Sequence, residues 1–229
     1  MSEDSSNYRE PYIEHPGPLL SIITVVFNSE KYIEGTLKSV ISQTFKNFEI
    51  VIIDGGSTDQ TLDIISSYRS KVHYLISEPD NGIYDAMNKG ITVAKGEYLL
   101  FLNSGDQLNN DRVLEVIFSS LGAEDVIYGE TNLIDGNGHV LGTRTELTTR
   151  KLPKALTWKH LKRGMVACHQ SFIVKKRIAP YYQLKYKCSA DIDWMIEALK
   201  RAKLIKNIQT PISKYLIGGF SGSNMTKCW

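Results

Sequence analysis

Leu19-Leu20-Ser21-Ile22-Ile23-Thr24-Val25-Val26-Phe27 is almost continuously apolar and rich in Ile and Val. A half-exposed strand alternates polar and apolar residues, so an unbroken run of this length predicts a strand buried on both faces of a parallel sheet. Asn28-Ser29-Glu30 then reads as the cap of a helix over Tyr32 to Gln43, along which Ile33, Leu37, Val40 and Ile41 recur at helical spacing. The unit repeats. Phe48 to Ile53 is a second buried strand ending at Asp54-Gly55-Gly56-Ser57, and Thr58-Asp59-Gln60-Thr61 opens a helix striped by Leu62, Ile64, Ile65 and Tyr68. Val72 to Ser77 is a third strand, Ile83 to Ala94 a third helix after the turn Pro79-Asp80-Asn81-Gly82, and Tyr98 to Leu102 a fourth strand. This alternation predicts an α/β fold with a Rossmann-like, mostly parallel central sheet flanked by helices, whose ligands bind at the carboxyl ends of the strands. Asn28, Asp54, Asp80 and Asp106 fall on that rim.

Outward from this core the pattern weakens. Residues 1–17 are polar, with two prolines and no periodicity, and read as a flexible lead; residues 18–229 read as one domain. In the second half, Val126 to Tyr128 and Val140 to Gly142 read as short strands about the hairpin turn Asp135-Gly136-Asn137-Gly138, and Leu152 to Leu161 and Asp191 to Arg201 read as helical. Apolar residues at 42% and charged residues at 23% are those of an ordinary globular protein, and a formal charge of +2 is too small to imply a nucleic-acid binder. Cys168, Cys188 and Cys228 lack a Cys-x-x-Cys pair, which predicts neither a zinc site nor a disulfide framework and points to a reducing cytoplasm. No secretory signal or spanning segment is legible, so work at a membrane would be peripheral, from the cytoplasmic face. The basic clusters Lys159 to Arg163 and Lys175 to Arg177 suit either phosphates, a membrane surface or plain solvation.

Several rim residues carry chemistry. Asp54 and its following glycines suit close backbone approach to a ligand, with the carboxylate accepting from a base or ribose; a tight, capped turn is the equal alternative. Phe101-Leu102-Asn103-Ser104-Gly105-Asp106 runs an apolar strand into an oxygen-rich turn suited to a hard cation, Mg²⁺ or Mn²⁺, or else into an Asx turn before the helix cap Asn109-Asn110-Asp111. Asp191 and Asp193 precede a helix, where each either caps it or serves as a base. His169 and Gln170 can bind acceptor, phosphate or metal, or be structural. Asp85 and Asn88 lie three apart on one helix face. The tail Gly218 to Ser223 can fold over phosphates or simply be loose.

Together these segments resemble family 2 glycosyltransferases, inverting enzymes with the GT-A fold, over roughly Pro18 to Ser223. The likeness rests on Leu20 to Asn28, Ser42-Gln43-Thr44-Phe45, Phe48 to Asp54, Gly56-Ser57-Thr58-Asp59 and Ala94-Lys95-Gly96-Glu97-Tyr98, in that order. It implies a nucleotide-sugar half over 18–110 and a smaller acceptor half over 111–229. It implies that Asp106 binds a divalent metal, Mn²⁺ or Mg²⁺, and that Asp191 is the catalytic base. It implies that Val25, Phe27, Asn28, Asp54, Asp85, Asn88 and Ser104 contact the donor. His169, Gln170 and Asp193 form a second tier. The implied donor is a nucleoside diphosphate sugar, UDP-linked by preference, and the acceptor a saccharide or lipid-linked saccharide at the inner membrane face. Where the family carries two acids the chain has Asp54-Gly55, and where the family has Asp-x-Asp it has Asn103-Ser104-Gly105-Asp106. Gly82 to Gly90, His169-Gln170 and Ala190-Asp191-Ile192-Asp193 mark a subgroup with these same departures. A nucleotidyltransferase is disfavoured because the first loop, Phe27-Asn28-Ser29-Glu30, has an acid and no glycine. A non-catalytic nucleotide-binding module is the other alternative.

Overall fold

The computed structural model describes residues 17–218. β1 (Leu20–Val26), β2 (Phe48–Asp54), β3 (Tyr74–Ser77) and β4 (Tyr98–Phe101) form the parallel part of one sheet, in the order β3-β2-β1-β4. The register Val26 to Asp54 and Asp54 to Ser77 aligns the three strand ends on one rim. α1 (Ile33–Ile41), α2 (Thr61–Ser67) and α3 (Ile83–Val93) return the chain between the strands. Two apolar cores flank the sheet because successive strand residues point to opposite faces: Ile22, Ile50 and Ile52 pack with α1, whereas Ile23, Val51 and Ile53 pack with Met87 of α3. Gly90 lets α3 lie close on β1, since a Cβ there would sit 2.5 Å from the Ile23 Cγ2.

Beyond β4 the sheet continues as β8 (Phe172–Lys175), β6 (Val126–Ile134), β9 (Ile205–Leu216) and β5 (Gln107–Leu108), with β7 (Val140–Thr143) paired to β6. β8 runs antiparallel to both β4 and β6. The remaining helices are α4 (Val113–Ser119), the short α5 (Arg144–Leu147) and α6 (Trp158–Leu161), and α7 (Ala190–Arg201). No described helix is long and apolar enough to cross a membrane.

Two expectations are corrected. Helix over Leu152 to Leu161 is confined to its last four residues, α6, which start at the Thr157 cap and its capping box with His160, while the Pro153 and Lys154 carbonyls before it accept from the Tyr128 hydroxyl. Asn28 does not cap α1; its φ is +44°, and its Oδ1 accepts instead from the Thr58 N–H at 2.8 Å, tying the first loop to the second. Cys168 is a free, buried thiol. Residues 1–16, the tail beyond Gly218 and Cys228 lie outside the described residues.

Candidate functional site

The strand ends and the last strand enclose a cavity of about 630 Å³, a volume suited to a drug-sized or cofactor-sized ligand. Val25, Phe27, Asn28 and Ser29 supply its floor from the end of β1; Gly55, Asp80, Gly82, Ile83 and Ala86 form one end; Asn103, Ser104, Asp106 and Gln170 form the other, closed by Tyr215 and Leu216 of β9. Of the expected donor contacts, Val25, Phe27, Asn28 and Ser104 line this space. Phe27 is 61% exposed, an aromatic face offered to the cavity mouth. The Ser104 hydroxyl is hydrogen-bonded to that of Ser29 at 2.7 Å, joining the β4 turn to the β1 loop.

Asp54, Asp85 and Asn88 are placed elsewhere. Asp54 is fully buried, and its carboxylate accepts from the Gly56 and Ser57 N–H groups at 3.0 and 2.9 Å and from the Ser57 and Ser77 hydroxyls. It therefore builds the turn and has no face on the cavity. Asp85 accepts from the Asn81 N–H at 3.0 Å and lies 3.9 Å from the Lys89 ammonium. The Asn88 amide clamps the Tyr182 backbone at both ends, donating to its carbonyl at 3.0 Å and accepting from its N–H at 2.7 Å. Spacing places both side chains on α3, and their protein partners are Asn81 and Lys89 for Asp85 and Tyr182 for Asn88.

At the β4 end, the Asp106 carboxylate is buried and accepts from the Gln170 Nε2 at 2.8 Å and from the Leu216 N–H at 3.2 Å. Burial pushes its carboxyl up to about 7 despite these two donors. Asn103 Oδ1 is buried without a partner, the one such side-chain atom among the described residues. No described group of three His, Cys, Asp or Glu side chains surrounds a cation position. The donor set is one carboxylate with free lone pairs, an orphaned amide carbonyl and the Ser104 hydroxyl. It fits a hard cation held chiefly by a ligand's phosphates, the usual manner of Mg²⁺, rather than an all-protein cage.

Asp191 and His169, both singled out in the sequence, meet in a second constellation whose aromatic members were not legible there. Asp191, in the first turn of α7, accepts from the Ile192 N–H at 2.9 Å and from the Tyr84 hydroxyl at 3.4 Å, and burial raises its carboxyl. Tyr84 stacks on Tyr182, which stacks on Trp194. His169 sits beneath, its Nε2 2.6 Å from the Tyr182 hydroxyl; burial lowers it to about 3, so the ring is neutral and acts as a packing and hydrogen-bonding element. Tyr215 spans the gap to the cavity: its hydroxyl is pushed up to about 12 by burial and by the nearby negative charge of Asp106 and Asp191. Tyr215 lines the cavity, and Asp191 lies near enough to it for its charge to act on the Tyr215 hydroxyl. Asp193 lies one step along the same half-buried turn.

Known proteins match this chain closely. The sequence profile of glycosyl transferase family 2 matches residues 21–179. A PGL/p-HBAD biosynthesis glycosyltransferase of Mycobacterium bovis (strain BCG / Pasteur 1173P2) is 30% identical over 222 residues, covering 92% of this chain and 82% of that protein. Among solved structures, S. aureus TarS 1-349 in complex with UDP-GlcNAc superimposes with a TM-score of 0.69 at 24% identity, over 89% of this chain and 60% of that one. The mannosyltransferase PcManGT from Pyrobaculum calidifontis, in complex with GDP-Man and Mn²⁺, gives 0.64 at 12% identity, over 91% and 60%. At these identities the two structures establish a shared fold, and the chain spans 60% of the length of either.

Proposed function

The chain belongs to glycosyl transferase family 2 and is a glycosyltransferase, and from that premise we propose that it transfers a sugar from a nucleoside diphosphate, UDP by preference, to a saccharide or lipid-linked saccharide hydroxyl with inversion. The observation that carries this reading is the half-buried Asp191 carboxyl, its proton affinity raised by burial, near one end of a cavity sized for a nucleotide sugar. A carboxylate whose affinity for protons is raised by burial is a stronger base near neutral pH. Asp191 removes the acceptor hydroxyl proton as that oxygen forms its bond to the anomeric carbon. The bond from that carbon to the diphosphate oxygen breaks on the opposite face, which inverts the centre. Ser104 and the Asn103 amide line the leaving-group end. A divalent cation, Mn²⁺ or Mg²⁺, when bound against Asn103 and Asp106, supplies positive charge to the departing diphosphate. A lipid-linked acceptor would draw the chain from the cytoplasm to the inner membrane face as a peripheral visitor.

Calorimetric titration of UDP is the direct test. Mn²⁺ is expected to tighten UDP binding by about tenfold or more, and Asn103→Ala to remove most of that gain. Failure of every nucleoside diphosphate to bind, with and without Mn²⁺, would overturn the assignment.

Tyr84 is a positioning residue in this scheme. Its hydroxyl helps hold Asp191 ionised, since a donor to the charged form lowers a carboxyl's proton affinity. Tyr84→Phe keeps the stack on Tyr182 and removes the hydrogen bond. It should lower kcat about 3- to 30-fold with little change in donor KM, and move the acidic limb of the pH–rate profile upward. An unmoved limb would deny Tyr84 this role.

A further inference from the structure

We propose that the Asp80 carboxylate selects the nucleobase, and that the base it selects carries a ring N–H on its pairing edge, as uracil and guanine do and cytosine and adenine do not. This rests on the reading that the cavity takes a nucleoside diphosphate. The sheet order β3-β2-β1-β4 sets Asp80, just past β3, at the opposite end of the cavity from Asn103 and Asp106 past β4, where Tyr215 leads to Asp191. If the reacting carbon lies at the Asp191 end, the base lies at the Asp80 end.

The chemistry of that end is unusual for a site that takes an anion. Asp54 spends its carboxylate on its own turn, and Asp106 accepts from Gln170 and Leu216. Asp80 differs: its Oδ1 accepts from the Gly82 N–H at 2.8 Å, which fixes the carboxylate, while its Oδ2 carries no hydrogen bond to a described residue. That oxygen lies against Gly55. A Cβ at position 55 would be 2.5 Å from Asp80 Oδ2 and 3.5 Å from the Phe27 ring. The glycine therefore makes room for the carboxylate beside the exposed Phe27 face, where a flat base can stack. An ionised carboxylate only accepts hydrogen bonds. Uracil offers it N3–H, and guanine offers N1–H with the adjacent amino group. Cytosine and adenine present a ring-nitrogen lone pair at the same point, which would face Oδ2 and leave both acceptors unsatisfied.

The full chain, titrated calorimetrically with UDP, GDP, CDP and ADP in the presence of Mn²⁺, decides the matter. UDP or GDP should bind at least about tenfold more tightly than CDP and ADP, because a site built around one hydrogen bond rejects analogues lacking it. Asp80→Asn, whose amide serves either edge and still accepts from Gly82, should narrow that ratio to about threefold or less. Gly55→Ala should do the same without removing charge, by displacing Oδ2. Equal binding of all four nucleotides to the unaltered chain, or an unchanged ratio in both variants, overturns the role of Asp80 and leaves the glycosyltransferase reading standing. No binding of any nucleotide overturns both.

Discussion

Asp191→Asn is expected to lower kcat by about 10³-fold or more while changing UDP affinity less than about threefold. General-base catalysis by a positioned side chain contributes roughly 10² to 10⁴, and the amide has no basic lone pair to replace it. The variant is otherwise conservative. Its carbonyl oxygen can still accept from the Ile192 N–H and the Tyr84 hydroxyl, so the first turn of α7 and its packing stay in place. Asp191 is also not a wall residue of the cavity, so donor binding has no direct contact to lose. Single-turnover transfer combined with UDP titration separates the possible outcomes. Turnover near normal would remove Asp191 as base. Joint loss of binding and turnover would make it structural.

The parallel half of the fold was legible because β1, β2 and β4 are buried on both faces and separated by amphipathic helices, a pattern local to each segment. β9 was not, since its polar residues, Pro211 and the positive φ of Gln209 break any strand period, and its pairing to β6 shifts register twice. The rim was legible as a place, and the partners of its side chains were not. Asp54 and Asn88 stand where the pattern put them, yet a helix or strand period says only which way a side chain leaves the backbone. What it meets depends on chain far away: Asn88 meets Tyr182, 94 positions on. The layer of Tyr84, Phe101, His169, Tyr182 and Trp194 has the same origin. No spacing links residues from five separate segments, and only the folded chain stacks them beneath Asp191.

Asp106→Asn should be modestly stabilising at pH 5 and more strongly so at pH 8 when divalent cations are chelated. Burial places the folded carboxyl at about 7, against an ordinary 3.8. Its folded value lies above its unfolded value, so its contribution is fully present below the unfolded value and is lost progressively as pH rises from there to about 7. The interval corresponds to roughly 4 kcal/mol at most, or on the order of 10 °C in melting temperature for a domain of this size. Asparagine cannot ionise, keeps an acceptor for the Leu216 N–H, and meets Gln170 once that amide turns over. The difference in melting temperature between variant and parent should therefore grow from pH 5 to pH 8, while Mn²⁺-stimulated transfer falls. Those two results together describe an acid that costs the resting chain stability and serves the reaction. A clamp that exists only to join Gln170 and Leu216 predicts the reverse, a variant weaker than its parent at every pH with its metal response intact, and that outcome would remove Asp106 from the cation site.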